Sequence, residues 1–258
     1  MRAQVIAAKA SFAAFVVAAV IALSACLGTR LGLFGFGIGL PLLLPGVAVG
    51  VIGLIAGLVW AALAFRSESG AAARYGAVGL VGALFVVGIP SDYFVRALVA
   101  PPIHDISTDV GTAPQFVTLI AVRKAAGAQN GPEYDGPKVI RLKSGKVTTE
   151  AALQKKYYGD VIPFAQFIKP KKLFWRAFGI AQGMGWQIAA FDANQGRIEA
   201  TATSFWFGFA DDIVIRVRPA GKLGARLDIR SKSRFGVSDL GSNARRLRSF
   251  LKTLKAMS

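Results

Sequence analysis

The residues that could take part in acid–base chemistry lie close together at the start of the polar half of the chain. His104 is the only histidine, and Asp105 and Asp109 follow it in the segment I-H-D-I-S-T-D. A carboxylate that orients an imidazole base is a common arrangement in hydrolases. One hypothesis is therefore an envelope hydrolase that uses His104 with Asp105 or Asp109. The alternative is a histidine that only makes structural hydrogen bonds.

Other catalytic and metal-binding groups are few. The sequence has no G-x-S-x-G nucleophile elbow, and its single cysteine, Cys26, lies in an apolar stretch. One histidine and no cysteine in the polar half exclude the common zinc ligand sets. Asp211 and Asp212 are neighbours on a predicted strand and therefore point to opposite faces. We expect no metal and no cofactor.

A second polar group, near the C-terminus, is typical of anion binding. Its arginines accompany small polar residues just before the last predicted helix, whose free backbone amides attract phosphate or carboxylate. An equally supported alternative is that Arg230, Arg234 and Arg246 pair with Asp228 and Asp239 and fix the turn. The candidate binding residues are Glu199, Arg216, Asp228, Arg230, Ser231, Ser233, Arg234, Asp239, Asn243 and Arg246.

The elements that must position these residues show a change of periodicity at Trp186. Before it, Lys171–Met184 has a broad apolar helical face, and after the strands Ser238 or Asp239 is predicted to cap a last helix. The predicted strands are Trp186–Asp192, Arg197–Phe209, Asp212–Arg218 and Ala225–Ser231. This order predicts an α+β domain with a four-stranded antiparallel sheet and helices packed mainly on one face.

Alternation along these strands places charged residues on the face away from the helices. Glu199, Arg216, Asp228 and Arg230 would form a cross-strand charge ladder there. We expect that ladder to be a solvated, mildly stabilising surface.

Two shorter helices are predicted in front of the sheet, and one aromatic run lies within it. The helices are Pro114–Ala126, with Arg123 at its exposed edge, and Thr149–Tyr158. The rings of Phe205, Phe207 and Phe209 are expected to be buried, with a ligand groove or the bilayer surface as the alternative.

The first 99 residues are predicted to be a membrane anchor for a soluble domain at 101–258. Three long stretches there carry almost no charge, and the predicted spans are about 10–29, 45–65 and 75–97, with Pro45 starting the second. Gly46, Gly50, Gly53 and Gly57 share one helical face, and Ala72, Gly76, Gly79 and Ala83 repeat that spacing. Small residues at such intervals predict a tight hairpin of spans two and three in a packed bundle. Asp92 and Arg96 can pair, but polar residues are otherwise too scarce to favour transport.

The short loops predict the orientation. Arg2, Lys9, Arg66 and Arg74 flank one side of the predicted spans, whereas the first loop has only Arg30. The positive-inside rule places the N-terminus in the cytoplasm and the domain in the periplasm of a bacterial inner membrane. In an alternative reading, L-S-A-C at 23–26 is a lipoprotein box and the first span is a removed signal, which leaves the domain on the same side.

Several segments together resemble a known family. They are I-H-D-I-S-T-D at 103, Y-G-D-V-I-P at 158, M-G-W at 184, R-I-E-A-T at 197, F-G-F-A-D-D-I-V-I-R at 207 and D-I-R-S-K-S-R-F-G-V-S-D-L-G-S-N-A-R-R-L at 228. With these, the soluble domain resembles the bacterial and plastid family called domain of unknown function 1499. The resemblance implies a membrane-associated domain and brings no established activity.

Charge narrows the class of partner. Residues 101–258 contain 25 of the 31 basic residues and 12 of the 14 acidic ones. The net positive charge of this domain in an integral membrane protein predicts anionic lipid, an envelope polymer or a protein as its partner. The predicted periplasmic location argues against nucleic acid as a partner. The prediction is a non-catalytic envelope binding or scaffolding module, with the hydrolase as the alternative.

Overall fold

The chain forms two compact units in the computed structural model. The structure describes residues 2–64, 70–142, 144–221 and 224–257. One unit is Met1–Leu98 together with Phe205–Gly208, and the other is Val99–Ser204 together with Phe209–Ser258. We call them the helical unit and the sheet unit.

Three long helices make up most of the helical unit: α1 (Arg2–Arg30), α2 (Phe36–Ala64) and α3 (Gly70–Val99). All three are long and apolar enough to cross a membrane. The prediction that Pro45 starts the second helix is wrong, because α2 begins nine residues earlier, at Phe36, and contains both Pro41 and Pro45. Membrane helices tolerate interior prolines when neighbouring groups satisfy the freed carbonyls. Phe65 and Arg66, which the sequence analysis used, lie outside the described residues.

Small residues bring these helices together, as the glycine spacing predicted. The Ser11 hydroxyl of α1 donates to the carbonyl of Gly53 in α2 at 2.9 Å. A Cβ placed on Gly79 of α3 would lie 2.5 Å from the backbone nitrogen of Phe12 in α1. A Cβ placed on Gly57 of α2 would lie 2.9 Å from Leu80 of α3 and 2.9 Å from the Ser11 hydroxyl of α1, so α1 shares the close packing predicted for α2 and α3. In α3, Asp92 and Arg96 form the expected ion pair at 2.6 Å.

The sheet unit contains eight strands and four helices among the described residues. The strands are β1 (Asp105–Ser107), β2 (Val139–Arg141), β3 (Val147–Thr149), β4 (Phe164–Gln166), β5 (Gln187–Asp192), β6 (Arg197–Thr203), β7 (Ala210–Ala220) and β8 (Gly224–Ser233). The helices are α4 (Thr118–Ala125), α5 (Glu150–Tyr157), α6 (Pro170–Gly183) and α7 (Ser242–Ala256).

The main sheet has six strands, so the prediction of four is wrong. Its order is β1-β8-β7-β6-β5, β4 also pairs with β8, and all pairings are antiparallel. The two strands that were missed, β1 and β4, are three residues long, which is too short to show an alternating pattern. A separate two-stranded sheet consists of β2 and β3.

One face of the main sheet packs on α6 and α7 and forms the apolar core. Alternate residues of β6, β7 and β8 point to this face, and both helices contribute apolar side chains. Central members of the core are Leu173, Phe174, Ile198, Ile213, Ile215, Leu227, Ile229, Leu247 and Phe250.

The opposite face of the sheet is covered by the chain between Asp109 and Asp135, which includes α4. Phe116 and Leu119 form a second, small core there with Val214 of β7. Arg123 of α4, predicted at an exposed edge, is only 1% exposed, because its guanidinium reaches the sheet. Helices therefore lie on both faces, and α4 is the one that covers the charged side.

The aromatic run lies outside the strand predicted for it. Strand β6 ends at Thr203, and residues 205–208 belong to the helical unit. Within that unit, Arg30 of α1 donates to the carbonyl of Phe205 at 2.5 Å. Phe205 is 77% exposed and Phe207 and Phe209 are partly exposed, so the expected burial of these three rings is wrong.

Candidate functional site

The charged face of the sheet is buried, which corrects the prediction of a solvated ladder. Glu199, Asp228 and Arg230 are 0% exposed, and only Arg216 of the four ladder residues is partly accessible. The reason is the 109–135 segment, whose backbone and side chains supply hydrogen-bond partners for these charges.

Glu199 holds the start of α4. Its carboxylate accepts hydrogen bonds from the backbone nitrogens of Val117, Thr118 and Leu119, at 3.1, 3.2 and 2.8 Å. Free amides at a helix N-terminus favour a negative charge, so this contact fixes the helix to the sheet.

Asp109 lies among arginines. Its Oδ2 is 2.9 Å from Arg226 and 3.1 Å from Arg218, and Arg216 and Arg226 also pair with Asp228. Burial raises the pKa of Asp109, but hydrogen bonds from Thr112 and the charge of Arg226 outweigh it and leave that pKa below its ordinary value. Asp109 therefore acts as the anion of an arginine cluster, and the structure gives it no role as a partner of His104.

Arg234 belongs to a third buried charge group. Its guanidinium donates to both carboxylate oxygens of Asp212, at 2.9 and 2.8 Å. Arg123 donates to the same carboxylate at 2.7 Å, and Thr201 donates to it at 2.7 Å.

The other candidate residues lie on the side of β8 that α7 covers. Ser231 donates to the Asn243 side chain at 2.6 Å, and Asn243 donates to Ser233 at 3.0 Å. Arg246 of α7 pairs with Asp211 at 2.6 Å. Asp239 accepts hydrogen bonds from the backbone nitrogens of Gly241 and Asn243 at the start of α7.

The ten candidate binding residues therefore do not form one site. Glu199, Arg216, Asp228, Arg230 and Arg234 lie under the 109–135 segment, whereas Ser231, Ser233, Asp239, Asn243 and Arg246 lie beside α7. Arg230, Arg234 and Arg246 are paired with Asp105, Asp212 and Asp211 respectively. The pairing agrees with the turn-fixing alternative, but the partners predicted there, Asp228 and Asp239, are wrong.

His104 faces a carboxylate that the sequence analysis did not consider. Its Nε2 lies 3.0 Å from Oδ2 of Asp135, and Lys232 donates to the same oxygen at 2.7 Å. Burial raises the pKa of Asp135, but the hydrogen bonds from His104 and Lys232 outweigh it and hold that pKa well below its ordinary range. Asp135 lies in a loop with no local motif, so only the folded chain reveals this pair.

Asp105 pairs with Arg230 rather than with His104. Nε and Nη2 of Arg230 each donate to the carboxylate at 2.8 Å, and the backbone nitrogen of Asp135 donates to it at 3.0 Å. Both side chains of the Asp105–Arg230 pair are 0% exposed. The predicted orientation of His104 by Asp105 or Asp109 is therefore wrong.

Glu150, the first residue of α5, completes a buried group with His104 and Asp135. One nitrogen or oxygen atom from each of the three side chains lies within 4.8 Å of the others. Burial raises the pKa of Glu150 to about 7. We call His104, Asp135, Glu150 and Lys232 the His104 cluster.

Three polar atoms in and beside this cluster have no hydrogen-bond partner among the described residues. They are Nδ1 of His104, Oε2 of Glu150 and the hydroxyl of Tyr134, and all are buried. Burial also raises the pKa of Tyr134. A buried polar atom without a partner costs about 1–3 kcal/mol, so such a group calls for an explanation.

A second feature lies on the surface of α6, beside α7. An open groove of about 770 Å³ is lined by Lys172, Trp175 and Arg176 among others. Gly179 and Gly183 also line it, and a Cβ added to either glycine would meet no atom within 4 Å. The apolar face of this helix is evident from the residue spacing, but nothing in the residue pattern indicates the groove.

Comparison with known proteins adds a family and no activity. A family model described as "Protein of unknown function (DUF1499)" matches residues 105–254. The match includes Asp135, Glu150 and the groove residues of α6, and it begins one residue after His104. No curated protein matches the chain.

Proposed function

The chain belongs to the DUF1499 family of proteins of unknown function, and we propose that it is a membrane-anchored, non-catalytic module that binds anionic lipid in the groove on α6. The proposal includes the bacterial inner membrane as its location, with the N-terminus in the cytoplasm and the sheet unit in the periplasm. The short-loop basic residues support this orientation through the positive-inside rule.

The observation that carries the proposal is a groove lined by both basic and apolar groups. Lys172 and Arg176 line it and can pair with a phosphate head group, although Arg176 also donates to the Gln166 side chain at 3.1 Å. Ile180, Met184 and Met257 line the same groove and offer apolar surface to part of an acyl chain. Trp175 is 45% exposed, and its ring suits the boundary between head group and chain. An anionic amphiphile can use both kinds of lining, whereas a purely polar anion leaves the apolar lining unused.

The basic surface of the sheet unit and its short link to the membrane helices both favour binding to lipid. Exposed Lys252 and Lys255 of α7 add positive charge to the surface of the sheet unit, and each basic residue near an anionic membrane contributes about 1 kcal/mol. Only residues 100–104 connect α3 to β1. A short covalent connection to the anchor keeps the effective lipid concentration high, so even weak binding is populated.

The hydrolase hypothesis has less support. His104 is 3% exposed, and its Nε2 faces an ion pair instead of an open cleft. A general base must come within hydrogen-bond distance of the substrate proton, directly or through one water. The surroundings of His104 fit a buried structural or binding role better.

A photocrosslinking experiment tests the proposal. The full-length chain is placed in phosphatidylcholine nanodiscs that carry a trace of photoactivatable phosphatidylglycerol, and the labelled peptides are identified by mass spectrometry. We expect label on α6, and we expect a several-fold loss of it in the double variant Lys172→Gln with Arg176→Gln. The matched control is Lys155→Gln with Lys156→Gln on α5, which removes the same charge from exposed positions outside the groove lining.

A second variant separates groove filling from charge. Gly183→Leu adds a side chain into open space and leaves every charge in place. We expect it to reduce the labelling of α6 while the labelling of the membrane helices stays constant. Equal labelling of α6 in wild type, the double variant of Lys172 and Arg176, and Gly183→Leu would refute the groove as a lipid site.

A further inference from the structure

Three side chains with metal-ligating atoms converge in the His104 cluster from separate parts of the chain. His104 precedes β1, Asp135 lies in the loop between α4 and β2, and Glu150 begins α5. Their ligand atoms lie within 4.8 Å of one another, and Nε2 of His104 is 3.0 Å from Oδ2 of Asp135. Ligands around a zinc-sized cation sit about 2.0–2.2 Å from the metal, so only small side-chain movements would bring all three into one coordination shell.

The unpartnered atoms are an independent sign of a ligand. Glu150 is 2% exposed and His104 is 3% exposed, and each has a buried lone-pair or N–H group with no partner in the described part of the chain. These groups, an imidazole and a carboxylate, are the ones that coordinate cations. A cation bound by the Glu150 carboxylate would give its unpartnered Oε2 a ligand bond.

The donor set selects the kind of cation. One imidazole nitrogen with two carboxylates is harder than a thiolate site and softer than an all-oxygen site, which fits borderline divalent metals. Mg²⁺ and Ca²⁺ prefer oxygen ligands alone. We propose that His104, Asp135 and Glu150 form a binding site for a divalent transition-metal cation of the Zn²⁺ class.

The neighbouring ammonium group of Lys232 affects how strongly such a site would bind a metal. Lys232 donates to Asp135 at 2.7 Å and to the carbonyl of Glu133 at 2.6 Å. A carboxylate has two oxygens, so Asp135 can keep this contact and still offer a donor to a metal, with Lys232 fixing its orientation. The positive charge of Lys232 lowers the affinity relative to a site without it, and a weaker site than a structural zinc finger is therefore expected.

Direct metal binding to the full-length chain tests this proposal. The purified, tag-free protein in detergent is stripped with a chelator and titrated with Zn²⁺ by calorimetry, and the bound metal is counted by elemental analysis. We expect one Zn²⁺ per chain and at least about a tenfold loss of affinity in Glu150→Gln, which removes an anionic ligand while keeping its size. Mg²⁺ in the same titration should bind far more weakly.

The matched control is Glu133→Gln. Glu133 is exposed and two residues from Asp135, so this variant makes the same change beside the cluster without touching a ligand. X-ray absorption of the Zn²⁺-loaded wild type adds a readout that does not depend on any variant: we expect nitrogen and oxygen neighbours that include one imidazole. Failure of the wild type to bind Zn²⁺ saturably, equal affinities of the two variants, or a coordination shell without imidazole would overturn the proposal.

Discussion

The Asp105–Arg230 pair offers a direct measure of what burial does to an ion pair in this domain. The chain contains a second pair of the same geometry: Nε and Nη2 of Arg248 each donate to Asp160 at 2.6 Å. The inner pair is 0% exposed on both sides, whereas the outer one is 39% and 59% exposed. The substitutions Asp105→Asn and Asp160→Asn therefore make the same chemical change in two environments.

The expected effects differ several-fold. Removing one partner of a buried pair leaves an uncompensated charge and costs about 3–5 kcal/mol, while an exposed pair contributes about 0–1 kcal/mol. At position 105 the side-chain amide of the introduced Asn lowers the stability further. Both carboxylate oxygens accept hydrogen bonds there, from Arg230 and from the Asp135 backbone nitrogen, and an Asn side chain presents one of these donors with another donor.

Urea unfolding of the full-length chain in detergent, followed by tryptophan fluorescence, measures both variants. Trp186 is 6% exposed and stacks on Phe250 in the core of the sheet unit, so its emission reports on that unit. We expect a large fall in the midpoint for Asp105→Asn and little change for Asp160→Asn, at an unchanged slope. If the two variants lost the same stability to within about 1 kcal/mol, the buried arginine would not depend on its carboxylate and the reasoning would be refuted.

Three further predictions use the same unfolding assay. Glu199→Gln should cost about 1–2 kcal/mol and speed hydrogen exchange at the amides of Val117–Leu119, because these donors lose a charged acceptor; unchanged exchange there would contradict the capping role. Gly179→Ala should raise stability by about 0.5–1 kcal/mol, since a helix-interior glycine with free space around it gains helix propensity, and a loss would show that the glycine is needed. Burial raises the pKa of Asp239 from its ordinary 3.8 to about 6, so its contribution is fully present below pH 4 and is lost as the pH rises through about 6. Asp239→Asn should flatten this part of the stability profile, and a profile with the same slope as wild type would exclude Asp239 as its source.

Much of the architecture could be predicted because it rests on long, periodic segments. The three membrane helices, α6 and α7 each have an apolar pattern of many residues. Helix α5 begins at Glu150, one residue after its predicted start, and Thr149 caps it with a hydroxyl that accepts from the backbone nitrogen of Ala152. Asp239 accepts a hydrogen bond from the backbone nitrogen of Asn243 near the start of α7, but the N-cap residue is Gly241, so the predicted cap at Ser238 or Asp239 is wrong. The correctly predicted features depend on local chemistry, which a single sequence shows directly.

The errors concern contacts between distant segments. Arg123 follows Phe116 and Leu119 at helical spacing, a pattern that places it on the buried face, but a charged side chain suggested exposure. Its burial depends on Asp212, which lies 89 residues away. The partner of His104 was missed for the same reason, since Asp135 is 31 residues distant and lies in an irregular loop. Pairing across such separations is a property of the fold and leaves no local signal.

The two faces of the main sheet are both buried but have opposite chemistry, and this makes β8 intolerant of slippage. Leu227 and Ile229 enter the core under α6 and α7, whereas Arg226, Asp228 and Arg230 meet carboxylates and arginines on the other side. Shifting β8 by one residue against β7 would exchange these rows, put three charges into the apolar core and leave their former partners unpaired. An antiparallel sheet with one solvated face could absorb part of such an error. In this domain the charged residues of β8 therefore help to fix its register against β7.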